Sequence, residues 1–200
     1  MNKSRFLITA VIFLVLTVDY GQAKTTSQLK NATVLIIRHA EKPKTGKHLS
    51  PVGFIRAQAY VGFFKSLKVN SHLVTLDHLF AAPESKHSDR CHETLLPLSN
   101  ALHLKIHSTF DISESQELAE KVQRSYSGET VLICWHHGGI PDLLRAFGAK
   151  PKALVPGGEW PDDVFGWLIV LRYDQNGKIS TNVSNEGITP ADAKHPPPRH

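Results

Sequence analysis

Two short segments of the chain are almost wholly apolar, and they restrict the fold more than any other feature of the sequence. Residues 33–37 read Thr-Val-Leu-Ile-Ile, and residues 130–135 read Thr-Val-Leu-Ile-Cys-Trp. Apolar, β-branched runs without polar alternation are typical of strands that are buried on both faces, as in parallel sheets. Because such strands need helices on both sides of the sheet, we expect an α/β fold.

Helix-like and strand-like segments alternate along the middle of the chain. Apolar residues recur at helical spacing in residues 51–67, where Ser50 suits the cap and Pro51 the first turn. The further predicted segments are a strand at 78–82, a helix at 88–101, a strand at 104–107, a helix at 115–126 and a helix at 141–147. This alternation predicts a mostly parallel central sheet covered on both faces.

The last third of the chain has a different pattern. Residues 165–173 and 178–183 are strand-like, and the segment between them contains Asn176-Gly177, a strong signal for a hairpin turn. We therefore expect an antiparallel pair of strands at one edge of the sheet.

The two termini are predicted to lie outside the folded domain. Residues 1–23 combine basic residues at the start, an apolar run and small residues before a cut after Ala23, which is typical of a secretory signal peptide. We expect an exported protein, periplasmic or secreted, with one domain at residues 24–189. Residues 190–200 are rich in proline and are predicted to form a disordered tail.

The composition argues against two classes of partner. The formal net charge of +5 is spread along the chain and forms no basic stripe of the kind that binds nucleic acid. After the signal peptide no apolar stretch is long enough to insert stably into a membrane. Cys91 and Cys134 allow at most one disulfide, and the position of Cys134 in an apolar strand favours a buried free thiol.

Charged and aromatic side chains follow the predicted strands at the points where these strands end. Arg38 and His39 follow the first apolar strand, and His136 and His137 follow the second. Arg90 lies near the start of the helix that comes after the strand at 78–82. Since open α/β sheets bind ligands at the carboxyl ends of their strands, we expect these side chains to meet in one pocket.

These residue types suit phosphoryl transfer. Each arginine can bind phosphate oxygens through two parallel hydrogen bonds, and its charge does not titrate. A neutral histidine can act as a nucleophile while a second histidine donates a proton. With two arginines, the chemistry needs no metal ion.

Four motifs in order resemble the histidine phosphatase (phosphoglycerate mutase-like) superfamily. They begin with Arg38-His39-Ala-Glu-Lys-Pro43 and continue with Leu49-Ser-Pro-Val-Gly53 and Arg56-Ala57, Arg90-Cys-His-Glu-Thr94 and His136-His-Gly-Gly-Ile-Pro141. The resemblance implies a three-layer α/β/α sandwich. It also implies a phosphohistidine intermediate on His39, with Arg38, Arg90 and His137 as catalytic residues that bind the phosphoryl group.

The sequence leaves several points about the site open. His136 is an alternative to His137, and Gly138 stands where the phytase-like branch of the superfamily has an aspartate. No motif places the general acid, for which Glu84, Glu114 and Glu159 are candidates. Arg56 is expected either to brace its helix or to touch substrate, and Lys42 to lie at the rim of the pocket.

The sequence thus predicts a metal-independent phosphatase that acts on a small phosphorylated substrate and needs no cofactor. No Cys-x-x-Cys or His-Glu-x-x-His spacing indicates a metal site. A non-catalytic protein that binds a phosphorylated ligand is the main alternative, and a phosphomutase is a further one.

Overall fold

The structure, a computed structural model, describes residues 29–189 and 191–198. The predicted signal peptide, residues 1–23, lies outside them. The strands are β1 (Ala32–Arg38), β2 (Lys68–Val69), β3 (His72–Leu73), β4 (His78–Ala81), β5 (Ile106–His107), β6 (Thr130–Trp135), β7 (Trp167–Tyr173) and β8 (Ile179–Asn185). The helices are α1 (Pro51–Ser66), α2 (Arg90–Leu102), α3 (Ser115–Ser125) and α4 (Ile140–Ala146), with short 3-10 turns between some elements.

Six strands form the central sheet, in the order β5-β4-β6-β1-β7-β8. The first four run parallel to one another, whereas β7 runs antiparallel to β1, and β8 antiparallel to β7. The prediction of a mostly parallel sheet with an antiparallel hairpin at one edge is therefore confirmed. Gly177 has a φ of 78° in the turn between β7 and β8, a left-handed conformation that favours glycine.

The two apolar strands that dominate the sequence lie side by side at the centre of the sheet. In β1 and β6, every side chain except those of two threonines is fully buried. Their burial on both faces requires helices on both faces, and the helices form two packed pairs, α1 with α2 and α3 with α4. This arrangement matches the layered α/β/α architecture expected from the sequence.

Helix α1 begins where its sequence predicts. The hydroxyl of Ser50 accepts a hydrogen bond from the amide of Gly53 at 3.1 Å, and Pro51 occupies the first turn. The helix packs closely on the segment that follows β1, since a Cβ on Gly53 would lie 2.3 Å from the carbonyl oxygen of Glu41. Only glycine permits this approach.

Two features of the fold differ from the sequence-based expectation. Residues 68–73 form the small hairpin β2–β3, whose turn residues Asn70 and Ser71 have positive φ values and give no glycine signal. The disordered tail was predicted to begin at residue 190, and this boundary was also wrong. Asp192 begins a 3-10 turn and is only 3% exposed. Within the residues that the structure describes, no helix is long and apolar enough to cross a membrane.

Candidate active site

The predicted site residues meet at one edge of the sheet. Arg38 pairs with Trp135 and Ala81 with Cys134, so the carboxyl ends of β1, β4 and β6 lie at the same level. Because β7 runs antiparallel to β1, the loop that precedes β7 arrives at this edge too. Four segments of the chain, the ends of β1, β4 and β6 and the loop before β7, therefore meet at this edge.

Arg38 is fully buried and is held by a loop that comes from far along the sequence. Its Nη1 lies 3.0 Å from the carbonyl oxygen of Pro161 and 2.9 Å from those of Asp162 and Val164. The guanidinium carbon lies 4.0 Å from the centre of the Phe165 ring, a cation–π contact. We call residues 161–165 the Arg38-binding loop.

The charge of Arg38 survives this burial. Burial lowers the pKa of Arg38 to about 10, while the nearby carboxylate of Asp162 opposes the decrease. At neutral pH the side chain is still a cation. Its orientation is fixed, since Nη2 also lies 3.2 Å from Nδ1 of His137.

His39 has the protonation pattern of a nucleophile. Its Nδ1 lies 2.7 Å from the carbonyl oxygen of Ala40, which can only accept a hydrogen bond, so Nδ1 carries the proton. Burial lowers the pKa of His39 to about 2, with Arg38, His136 and Arg90 contributing in the same direction against the bond to Ala40. The ring is therefore neutral, and the lone pair of Nε2 is free to attack an electrophile.

The two adjacent histidines have different environments. His137 uses both ring nitrogens, since Nδ1 faces Arg38 and Nε2 lies 2.6 Å from a carboxylate oxygen of Asp162. The ring of His136 lies nearer to that of His39, at 5.5 Å between centroids compared with 6.5 Å for His137. The ring nitrogens of His136 make no hydrogen bond to the described part of the chain. Of these two histidines, only His136 has ring nitrogens without a partner among the described residues.

Burial keeps both of these imidazoles neutral. It lowers the pKa of His136 to about 4, assisted by the charges of Arg90 and Arg38. Burial and Arg38 also lower the pKa of His137, partly opposed by Asp162. Each neutral ring has a single N–H donor, and in His137 this donor already points at Asp162.

Arg90 lies at the first position of α2, half-buried beside the site. Its Nη1 donates to the carbonyl oxygen of Gly46 at 2.9 Å. The Nε atoms of Arg38 and Arg90 are both buried, and no described residue accepts a hydrogen bond from them. Buried N–H donors normally have a partner, and an anionic ligand is an acceptor that suits both arginines.

None of the three carboxylates proposed as the general acid contacts His39. Glu84 is exposed and lies 3.2 Å from His92, and Glu114 accepts a hydrogen bond from the amide of Asp111 at 2.7 Å as part of a capping box. Glu159 is exposed at the rim of a cavity of about 430 Å³ beside His137. Asp162, which was not among these candidates, does reach the site, with a carboxylate oxygen 2.6 Å from Nε2 of His137.

Asp162 and Phe165 were not identified from the sequence. The signal available in the sequence was the acidic pair Asp162-Asp163, which follows Trp160-Pro161 and comes shortly before strand β7. The pair could be linked to the site only with knowledge of the direction of β7. Because β7 runs antiparallel to β1, the loop before it lies at the end of β1 rather than at the opposite edge of the sheet.

Arg56 and Lys42 were the other candidate residues from the sequence. Arg56 is fully buried among carboxylates and does not reach the site. Lys42 is exposed. Cys91 and Cys134 are free and buried, and burial together with contact to the Cys91 thiol raises the pKa of Cys134. Within residues 29–189 and 191–198, no three His, Cys, Asp or Glu side chains form a group that could hold a metal ion.

Comparison with known proteins bears on the fold of the chain. No protein-family profile and no curated protein sequence matches the chain. Solved structures do match. The protein histidine phosphatase SixA, complexed with tungstate, superimposes with a TM-score of 0.53 at 17% identity, over 77% of this chain and 97% of SixA. SixA from Agrobacterium tumefaciens gives a TM-score of 0.50 at 16% identity, over 78% of this chain and 97% of its own.

The fold is that of the histidine phosphatases. A likeness at this level of identity establishes the fold alone, and the chemistry has to be argued from the side chains. The histidine phosphatase fold nevertheless confirms the architecture that the four motifs implied.

Proposed function

We propose that this chain is a phosphatase that hydrolyses a small phosphomonoester or related phosphoryl compound through a phosphohistidine on His39. One observation carries the proposal: His39 is buried and neutral with a free Nε2 lone pair, it is close enough to Arg38 and Arg90 for both charges to lower its pKa, and each arginine has a buried N–H donor available. A nucleophile and an anion-binding group in one place are what phosphoryl transfer requires.

The reaction follows from these groups in two steps. Nε2 of His39 forms a P–N bond while the bond between phosphorus and the leaving oxygen breaks, and that oxygen takes a proton. A water molecule then attacks phosphorus, the P–N bond breaks, and the water gives up a proton as inorganic phosphate forms. Arg38 and Arg90 stabilise the charge on the phosphoryl oxygens in both steps, without a metal ion.

We assign the phosphoryl contact to His136, whereas the family resemblance implies His137. The single N–H of neutral His137 is committed to Asp162, whereas His136 has ring nitrogens without a partner among the described residues and lies closer to His39. His137 then serves to hold Asp162 and, with it, the Arg38-binding loop.

The enzymatic test is turnover of a chromogenic phosphate ester by the purified domain in the presence of a chelator. We expect turnover that the chelator does not reduce and that His39→Ala abolishes. Chelator-sensitive turnover would refute metal independence, and activity retained in His39→Ala would refute the phosphohistidine. Wild-type enzyme quenched in alkaline detergent should also carry a phosphate that is stable to base and lost in acid, and this phosphate should be missing from His39→Ala.

The histidine assignment needs a pair of variants. We expect His136→Ala to lower kcat/KM by about 100-fold, as removal of one donor to a developing oxyanion does. His137→Ala should cost less, about 10-fold, because it acts only through the orientation of the loop. The reverse order would return the phosphoryl contact to His137.

A second candidate function is a non-catalytic protein that binds a phosphorylated ligand. The observation in its favour is that Glu84, Glu114 and Glu159 all lie away from His39. Vanadate or phosphate binding without turnover on any substrate, unchanged in His39→Ala, would support it.

Export completes the proposal. If residues 1–23 form a cleaved signal peptide, the N-terminal sequence of the protein recovered from the exported fraction begins at Lys24. Recovery of the intact N-terminus in the cytosol would contradict export.

A further inference from the structure

A buried cluster of charges lies beneath the candidate active site. Arg56 is fully buried and donates hydrogen bonds to three carboxylates. Its Nε and Nη2 bind Glu41 at 2.7 to 3.1 Å, its two Nη atoms bind Asp192 at 2.6 and 3.0 Å, and Nη1 binds Glu186 at 2.9 Å. Tyr60 adds a hydroxyl that donates to Glu186.

The charges of this cluster are mutually dependent. Burial would lower the pKa of Arg56, but the hydrogen bonds to Asp192 and Glu41 raise it overall, so the guanidinium stays charged. Burial raises the pKa of Asp192, but Arg56 and the hydrogen bonds from Thr189 together outweigh it, and the net shift is downward. A buried ionic group of this kind contributes little net stability compared with apolar packing. Stability alone therefore does not account for its presence.

Glu41 connects the cluster to the nucleophile. The hydrogen bond that fixes the tautomer of His39 is accepted by the carbonyl oxygen of Ala40, which belongs to the Ala40–Glu41 peptide unit. One side of this segment is held by Thr94, whose hydroxyl accepts from the Ala40 amide at 2.9 Å. On the other side Glu41 is held by its side chain, through Arg56, and by its carbonyl, which accepts from the Ser50 amide at 2.9 Å.

We propose that Glu41, anchored by Arg56, is a positioning residue that holds the Ala40–Glu41 peptide so that its carbonyl keeps the proton of His39 on Nδ1. This inference rests on the proposed role of His39 as nucleophile. Rotation of that peptide removes the acceptor for Nδ1–H, and the proton of the neutral ring then redistributes to Nε2. A ring protonated on Nε2 has no lone pair to attack phosphorus.

The chain offers a matched pair of variants for the test. Glu41→Gln and Asp192→Asn each replace one carboxylate that accepts hydrogen bonds from Arg56 by an amide of the same shape. Asp192 also accepts hydrogen bonds from Ile188 and Thr189, so its substitution disturbs the cluster at least as much as that of Glu41. Only Glu41 is part of the peptide unit that contacts His39.

The first readout is the tautomer of His39, measured by long-range ¹H–¹⁵N NMR on the full chain. Wild type and Asp192→Asn should show the proton on Nδ1, whereas Glu41→Gln should show a mixture of the two tautomers. Unchanged Nδ1 protonation in Glu41→Gln would overturn the proposal. So would an equal mixture in both variants, because it would show a general loosening of the cluster.

The second readout is the rate of His39 phosphorylation in a single turnover. We expect Glu41→Gln to slow this step by about 10-fold or more, with KM changed less than about 2-fold, and Asp192→Asn to leave the rate near that of wild type. Urea unfolding of both variants provides the comparison of stability. A rate loss that tracks stability in both variants would refute a positioning role.

Conservative replacement supplies a further control. Arg56→Lys keeps a charge but loses the forked geometry of the guanidinium. Its tautomer mixture and its rate of His39 phosphorylation should therefore lie between those of wild type and Glu41→Gln. If wild type shows no turnover at all, the proposed phosphatase function fails, while the NMR comparison still decides whether Glu41 positions His39.

Discussion

The neutral state of His39 predicts a definite pH dependence of stability. In the unfolded chain a histidine has a pKa of about 6.5, whereas burial lowers the pKa of folded His39 to about 2. The unfolded state therefore binds a proton that the folded state does not accept. Because the folded pKa is the lower one, the stabilising contribution of His39 is complete above about pH 6.5 and is lost as the pH falls towards 2.

The size of the effect follows from these two pKa values. Between about pH 7 and about pH 5, protonation of the unfolded side chain lowers the free energy of unfolding by about 2 kcal/mol. The folded pKa hardly affects this figure, since any value below about 4 leaves the ring neutral across the interval. His136, whose pKa is lowered to about 4, acts in the same direction, whereas Glu186, whose pKa burial raises to about 8, acts in the opposite one.

The assay isolates His39 by comparison with His39→Asn, which can still donate to the Ala40 carbonyl. Urea unfolding at the two pH values gives four free energies, and the pH-induced loss should be about 2 kcal/mol greater in wild type than in the variant. His72→Asn, which removes an exposed imidazole from β3, should behave like wild type. A difference below about 0.5 kcal/mol between wild type and His39→Asn would refute a depressed pKa for His39.

Three further predictions concern activity and packing. Arg38→Lys should lower kcat by about 100-fold, since an ammonium cannot span the carbonyls of the Arg38-binding loop and a phosphate at once; a loss under about 5-fold in steady-state kinetics would contradict this. Gly139→Ala should cost about 1–3 kcal/mol in thermal unfolding, because its Cβ would lie 2.9 Å from Nε1 of Trp135, whereas Gly138→Ala has free space and should be nearly neutral. Glu84→Gln should leave kcat within about 2-fold of wild type, and a pH-dependent collapse of kcat would instead make Glu84 the general acid.

Much of the site could be predicted because it lies next to strands that the sequence identifies by itself. The apolar runs of β1 and β6 have no polar alternation, which only a doubly covered strand tolerates. Once these strands are parallel neighbours, Arg38, His39 and His136-His137 must lie at one edge of the sheet. Local sequence and one topological rule are sufficient for this step.

The distinction between His136 and His137 could not be made in this way. Adjacent residues share the same motif and the same strand end, and the sequence favoured His137 because it precedes Gly138-Gly139. What separates them is a carboxylate in the loop before β7, since Asp162 occupies the only N–H donor of neutral His137.

The sequence by itself determined the alternation of the main strands and helices, and it placed Arg38, His39 and His136-His137 at one edge of the central sheet. Tertiary structure alone decided how each of these side chains is held. Arg38 depends on carbonyls more than 120 residues away, and Glu41 on Arg56 and the C-terminal segment. The physical reason is that backbone acceptors and buried ion pairs leave no periodic pattern in a sequence, because any residue supplies a carbonyl and only the fold brings the partners together.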